Sequence, residues 1–273
     1  MPTTTASPLR PNPLLPGLGV ALLLLYAALL LGGAALQADW LPALNAHGHT
    51  ELHAHGHPFA DARAWLGIPN AADVLSNLPF ALLALWGLGG AGRIGVKADE
   101  AVLRLGMKAD EAVLRIGLGA TALGSAAYHA WPRPETLVLD RAGMALAFAG
   151  LLALALRSRV GEREGRVLLG VLTPLAVLAA ALPLAGNLMP WLLVQFGGVL
   201  ALLALATRPT RPGTPRLPLL GIVALYALAK VCEVQDAALF AFSDGLLAGH
   251  TLKHLVAAGA AALAIRALNA LRR

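Results

Sequence analysis

Apolar residues dominate this chain in long runs that are separated by short polar connections. If about 20 apolar residues make one membrane crossing, eight runs qualify, at roughly 14–36, 71–91, 112–131, 138–156, 166–186, 189–206, 217–236 and 246–265. Such runs predict helices, because a bilayer core offers no water to backbone groups that lack internal hydrogen bonds. The pattern therefore predicts an all-α fold, a polytopic membrane helix bundle.

Composition agrees with this class of protein. Hydrophobic residues make up 58% of the 273 residues and charged residues only 13%, and the mean hydropathy is +0.68. The pI of about 10.1 raises nucleic acid as a partner, but membrane proteins concentrate Lys and Arg in their cytoplasmic loops. We therefore interpret the positive charge as a topology signal and predict no nucleic-acid partner. Cys232 is the single cysteine, which excludes an intramolecular disulfide.

The basic residues also predict an orientation. If the spans alternate in direction, 16 of the 21 Lys and Arg fall on one side, in both tails and in the connections near 93–115, 157–166 and 208–216. The positive-inside rule makes that side cytoplasmic, together with both termini. We expect a bacterial inner-membrane protein. The first run lacks a convincing cleavage site, which favours a retained span over a cleaved signal peptide.

One internal repeat stands between the second and third runs. The sequence KADEAVLR occurs at 97–104 and again at 108–115, a period of eleven residues. Eleven residues are close to three whole helical turns, so the duplication lengthens a helix while barely rotating its faces. We interpret it as a tolerated duplication on a solvated amphipathic face, with a cytoplasmic docking helix as the alternative.

Three of the eight histidines lie inside apolar runs, whereas the other five crowd into 47–57. His250 and His254 are four residues apart and share one helical face. With alternating spans, His129 ends an outward span and the pair begins an inward one, so all three are expected near the outer leaflet. Three imidazoles suit one zinc ion, and ionisable groups within a membrane mark functional sites. For His129 alone, a hydrogen-bonded core histidine is the alternative.

Two further side chains are expected at the same depth. Ser125 precedes His129 by four residues, and Asp140 follows a proline-containing turn within about two turns of the next outer helix end. An ion pair with its neighbour, or a helix N-terminal carboxylate, is the alternative for Asp140. Lys253 and Glu233 are expected to pair with each other, with binding of a polar headgroup as the minor alternative.

Four motifs in this order resemble the alkaline ceramidase family of the CREST membrane hydrolases. They are Ser76-Asn77-Leu78-Pro79-Phe80, the sequence GSAAYH at 124–129, Leu139-Asp140-Arg141, and His250-Thr251-Leu252-Lys253-His254. The similarity covers about 70–269. It implies a seven-helix core at 70–273, preceded by an N-terminal tail and extra transmembrane helix at 1–36 and a His-rich extracytoplasmic loop at 37–69.

The resemblance implies a zinc ion held by His129, His250 and His254, with Ser125 and Asp140 beside it. Three protein ligands leave a fourth position for water, whose pKa zinc lowers to about 7. The implied reaction is attack of that water on a membrane lipid amide such as ceramide, at a site facing the periplasmic leaflet. Asp140 is then the general base and Ser125 a donor to the oxyanion. A serine nucleophile is the other role for Ser125, but no histidine base remains for it if all three bind metal.

Other ligands and functions follow from the same comparison. Animal alkaline ceramidases also carry calcium, but here only Asp61, Asn70 and Asp73 offer side-chain oxygens, fewer than calcium needs. The His-rich stretch at 48–57 is either a loose metal-binding segment or a solvated loop. The alternative functions are a zinc-containing receptor or sensor of the adiponectin-receptor type, a lipid esterase of the same superfamily, and a transporter. The last is disfavoured by the absence of an inverted repeat.

Overall fold

The computed structural model describes residues 14–40, 59–86, 88 and 107–272, and within them no β-strand occurs. The helices are α1 Leu14–Trp40, α2 Ala71–Leu75, α3 Leu78–Leu85, α4 Ala109–Ala130, α5 Pro134–Arg159, α6 Glu162–Ala181, α7 Met189–Leu192, α8 Gly198–Ala206, α9 Leu219–Val234, α10 Asp236–Phe242 and α11 Gly249–Leu271. A 3-10 turn at Leu182–Ala185 follows α6, and a π-helical turn at Leu193–Gly197 joins α7 to α8. The all-α prediction is confirmed.

Five helical stretches in the described part of the chain are long and apolar enough to cross a membrane. They are Gly19–Ala38, Pro134–Arg159, Glu162–Ala185, Met189–Ala206 and Gly249–Leu271. The predicted runs at 71–91, 112–131 and 217–236 correspond to α2 with α3, to α4 and to α9. The chain is therefore an integral membrane protein, whereas the count of eight spans, the seven-helix core and the three segments stay predictions.

Helix α1 is joined to the bundle by polar contacts with α6 and with the turn before α7. The Tyr26 hydroxyl donates to the carbonyl of Leu175 at 2.7 Å, and the Asn187 amide donates to that of Leu29 at 2.9 Å. Most other α1 side chains are exposed, among them Leu31 at 89%. One side of this apolar helix contacts the bundle and the other side is exposed. This arrangement suits a position between the bundle and lipid.

Glycines bring α4 and α5 into backbone contact. A Cβ added to Gly124 would lie 2.5 Å from the carbonyl oxygen of Leu139, and Gly143 lies equally close to the backbone of Thr121 on the opposite helix. Only glycine permits such an approach. This contact sets Ser125 of α4 alongside Asp140 of α5, so the small-residue sequence of both helices positions the site.

The second KADEAVLR copy spans the start of α4, and three of its four charged residues are buried, whereas Lys108 is exposed and pairs with exposed Glu162. Asp110, Glu111 and Arg115 each expose 5% or less of their surface. Asp110 pairs with Arg157, while Glu111 pairs with Arg115 at 3.0 Å and with Arg272 at 2.8 Å. The predicted solvated face is wrong for these three residues, because they form ion pairs with one another and with arginines of α5 and of the C-terminal end. The first copy lies outside the described residues.

Replacing Gly124 by Ala is expected to destabilise the protein by about 1–3 kcal/mol, because the added methyl group overpacks the α4–α5 contact. The measurement is the free energy of unfolding in detergent. Gly119→Ala on the same helix is the matched control, since its Cβ would meet only the Ala84 side chain at 3.8 Å. Equal stability of the two variants would contradict the backbone contact.

Candidate metal centre

The three histidines of the apolar runs meet at one point. His129 lies in the last turn of α4, and His250 and His254 lie in the first two turns of α11. Their ring centroids are 4.7–5.0 Å apart, and one potential ligand atom from each lies within 4.8 Å of the others. The predicted convergence of residues more than a hundred positions apart is confirmed.

Side chains from neighbouring segments hold the two helix ends that carry these histidines. The Asn70 amide donates to the backbone carbonyl of His129 at 2.8 Å. Asp236 accepts hydrogen bonds from the backbone nitrogen of His250 at 2.7 Å and of Ala60 at 3.1 Å. Asp236 thereby satisfies an N-terminal N–H of α11 and ties the α10–α11 corner to the segment before α2.

Ser76 fixes the ring of His254. Its Oγ lies 2.8 Å from Nδ1 of His254 and donates its proton to the carbonyl of Asp73 at 2.9 Å. In the tautomer with the proton on Nδ1, Oγ accepts Nδ1–H from the ring, and the lone pair of Nε2 is available to a metal. Metal-binding histidines commonly have such a partner on their other ring nitrogen.

The buried nitrogens test whether a metal fits. His129 is fully buried, and neither of its ring nitrogens has a hydrogen-bond partner among the described residues. A buried polar group without a partner is costly, so these atoms call for a ligand that the protein itself does not provide. A shared ion would satisfy one nitrogen of the His129 ring, and three imidazoles are a donor set that suits zinc.

Phe59 packs against the histidines. Its ring centroid lies 4.7 Å from that of His129, 5.6 Å from that of His250 and 6.0 Å from that of Tyr128. The aromatic contact shields the imidazoles from water on that side. The His-rich stretch at 47–57, directly before Phe59, lies outside the described residues.

Ser125 and Asp140 lie beside the histidines on the wall of one cavity. They are 2% and 7% exposed, their side chains interact, and both line the cavity together with His254. Asp140 is the seventh residue of α5, beyond the first turn in which a helix N-terminal carboxylate would lie. The structure thus brings the predicted pair together, while their catalytic roles stay predictions.

A chain of charged side chains borders the site from α9 and α11. Lys253 contacts Glu233 at 2.7 Å, and Glu233 also contacts Lys230 at 2.6 Å. The predicted pairing of Lys253 with Glu233 is confirmed. Lys253 Nζ also lies 3.1 Å from Nε2 of His250, which places an ammonium group directly beside the candidate metal ligands.

The oxygen ligands considered for calcium have other partners. Arg63 donates to both carboxylate oxygens of Asp61 at 2.7 Å, and this hydrogen bonding holds the pKa of Asp61 below its ordinary value. Asn70 donates to His129, and Asp73 accepts from Thr251 at 2.6 Å. Within the described ranges, the histidines are the only group of three or more His, Cys, Asp or Glu side chains spaced to hold a metal.

The cavity extends from the site into the apolar bundle and has a volume of about 130 Å³. Ser125, Asp140 and His254 line one end, and Leu114, Leu151 and Ala264 line the other. Gln195 and Tyr226, like Asn77 and Thr121, add polar groups to a wall that is otherwise apolar. Gln195 belongs to the π-helical turn, a feature that is frequent at functional sites.

Comparison with protein-family models gave no match, and neither curated proteins nor solved structures gave one. The similarity to the ceramidases is therefore carried by the four short motifs alone. Three of those motifs supply residues that meet at the cavity end, and the fourth supplies Ser76.

Sequence reasoning missed four residues that shape the site: Phe59, Asn70, Ser76 and Asp236. Ser76 lies in a quoted motif but was given no role. A hydroxyl one turn before an apolar helix is a signal that could have found it. Phe59, Asn70 and Asp236 act through contacts between distant segments, for which spacing along the chain gives no signal.

Ser76→Ala is expected to weaken zinc binding by about 10- to 100-fold, since loss of a partner of a metal ligand has effects of this size. Competition with a chromophoric chelator measures the affinity. Ser158→Ala is the matched control, because this buried serine also donates to the carbonyl three residues earlier but lies at the other end of the bundle. An unchanged affinity in Ser76→Ala would show that the hydroxyl does not orient the ring.

Proposed function

We propose that the protein is a zinc-dependent intramembrane hydrolase of lipid amides, which cleaves ceramide-like lipids to a sphingoid base and a fatty acid. The observation that carries this proposal is the position of the buried histidines. They lie beside a serine and an aspartate, at the end of an apolar cavity inside a membrane protein. A carboxylate next to a candidate zinc site and a mainly apolar cavity together favour hydrolysis of a lipid.

The residues have separate tasks in this reaction. His129, His250 and His254 hold the zinc ion, which when bound supplies a water that ionises near neutral pH. Asp140 takes the proton of the attacking water on a carboxylate oxygen and passes it to the leaving amine as the C–N bond breaks. Ser125 donates a hydrogen bond to the carbonyl oxygen as that oxygen becomes negative.

The cavity provides the binding energy for the acyl chain. From Ser125 to Leu114 on α4, and from Asp140 to Leu151 on α5, its wall runs eleven residues along each helix, a depth of about 16 Å at the helical rise. Burial of an alkyl chain over this depth is favourable because each buried CH₂ contributes about 0.8 kcal/mol. The polar end then holds the amide beside Asp140.

Metal analysis combined with a lipid panel tests the function. Purified protein is expected to contain about one zinc per chain and to hydrolyse ceramide faster than phospholipid esters. His250→Ala is expected to lose both zinc and activity. Hydrolysis of ceramide by the His250→Ala variant would contradict the proposed mechanism. Ester hydrolysis alone would indicate an esterase, and zinc without turnover of any lipid would favour a receptor.

The roles of Asp140 and Ser125 are tested in variants that keep the histidines. Asp140→Asn is expected to retain zinc while its turnover falls by about 10²–10⁴, the usual contribution of a general base. Ser125→Ala is expected to retain zinc and lose about 10²–10³ in turnover, the usual cost of one oxyanion donor. Loss of zinc in either variant would contradict the assigned role.

We also propose that both termini are cytoplasmic and that the site faces the periplasmic leaflet of a bacterial inner membrane. The bases in the last turn of α5, in the first turns of α6 and after α8 support this orientation, because the connection between α4 and α5 carries Arg133 as its one base. Basic connections remain on the cytoplasmic side.

Cysteine labelling tests the orientation. In a Cys232→Ser background the chain has no cysteine, so single exposed positions can be compared. Arg133→Cys is expected to react with a membrane-impermeant maleimide in cells with a permeabilised outer membrane. Arg163→Cys, equally exposed at the start of α6, is expected to react only after the inner membrane is broken. The reverse labelling pattern would contradict the proposed orientation and indicate the opposite one.

A further inference from the structure

Lys253 is a charged residue that the proposed reaction leaves without a task. It lies on α11 between His250 and His254, its side chain is 16% exposed, and it lines the cavity together with Ser125 and Asp140. An ammonium group within a spanning helix is costly, and such residues mark functional sites. Its place on the cavity wall makes it available to a bound ligand.

The ion pair with Glu233 leaves part of the hydrogen-bonding capacity of this ammonium group available. Glu233 already has an ion pair with Lys230 at 2.6 Å, on the same helix, so Lys253 adds a second positive charge to one carboxylate. An ammonium has three N–H donors. One points to Glu233 and one lies against Nε2 of His250 at 3.1 Å, which leaves a third for a ligand.

The surroundings of Lys253 favour a negatively charged ligand group. A cation bound by the histidines would lie beside the ammonium, and like charges repel strongly where water is excluded. An anion between them relieves that repulsion. Arg141 adds to the positive potential, since it is 7% exposed and its Nη1 is buried without a hydrogen-bond partner among the described residues. Asp140 is the carboxylate that lines the cavity at this end.

We propose that Lys253 extends the substrates of the cavity from ceramide-like lipids to N-acyl lipids that carry a carboxylate next to the amide, and favours these over uncharged lipids of equal chain length. The inference rests on the proposed function and adds a second substrate class at the same site. A carboxylate one carbon from the amide nitrogen lies within a few ångströms of the scissile carbonyl. Lys253 Nζ lies at a comparable distance, 3.1 Å, from Nε2 of His250. The acyl chain then occupies the apolar part of the cavity, and the charged group stays at its outer end.

Two soluble probes that differ in one group test this inference. N-octanoylglycine carries the carboxylate, and N-octanoylethanolamine has an uncharged hydroxymethyl group in its place. Binding is measured by calorimetry with metal-depleted protein, and hydrolysis is measured with zinc-loaded protein. Wild type is expected to prefer the anionic probe about tenfold in kcat/KM and several-fold in Kd, as expected for a charge-assisted hydrogen bond away from water.

Variants at the two lysines separate recognition from folding. Lys253→Met is expected to bring the preference close to one, and Lys253→Arg to retain most of it. Lys230→Met is the matched control, because Lys230 shares Glu233 but is 41% exposed and does not line the cavity. It is expected to keep the full preference.

The outcomes distinguish the inference from the function. Equal kcat/KM and Kd of wild type for the two probes would overturn the role of Lys253. An equal loss of kcat/KM for both probes in Lys253→Met would overturn it too. Hydrolysis of both probes would still support the amidase. A preference in binding without hydrolysis of either probe would support Lys253 and count against the amidase. Should Lys253→Met fail to fold, the comparison of probes in wild type and in Lys253→Arg decides.

Discussion

The burial of three imidazole rings at one point is the constraint on which this half of the bundle depends. The fully buried ring of His129 has no hydrogen-bond partner among the described residues, and His250 and His254 face it from another helix. Such an arrangement is unfavourable for a metal-free protein and favourable for one that binds an ion. Asn70 and Asp236 fix the helix ends that carry these rings, so the segments around α4 and α11 are organised towards a single position.

Two different kinds of polar structure lie at the two ends of α4. Near its start, ion pairs and hydrogen bonds to backbone carbonyls engage the charged groups of Asp110, Glu111 and Arg115. Near its end, Ser125 lines a cavity beside Asp140, and His129 faces the rings of His250 and His254. Removal of one partner from a buried ion pair costs about 3–5 kcal/mol, so the first cluster stabilises the fold. The second leaves polar atoms free for a ligand.

The sequence was sufficient for those features that depend on local pattern. Long apolar runs predicted the all-α membrane bundle, and the spacing of His250 and His254, with the direction of the span that ends at His129, predicted their convergence. The second KADEAVLR copy was misjudged because local pattern cannot tell that Arg157 and Arg272 approach its acidic residues from other helices. Partners from distant segments, such as Ser76 for His254, are fixed by tertiary packing and have no period along the chain.

The order of polar groups along the cavity argues for an amphiphile bound in one direction. The end beside the histidines has Ser125, Asp140, Lys253 and His254; Thr121, Gln195 and Tyr226 follow along the wall; and the far end, at Leu114, Leu151 and Ala264, is apolar. An alkyl chain that entered with its polar group first would desolvate that group against leucine and alanine side chains, at a cost that nothing there offsets. The favourable direction therefore places the polar group against the histidines, which is the geometry that hydrolysis at an amide requires.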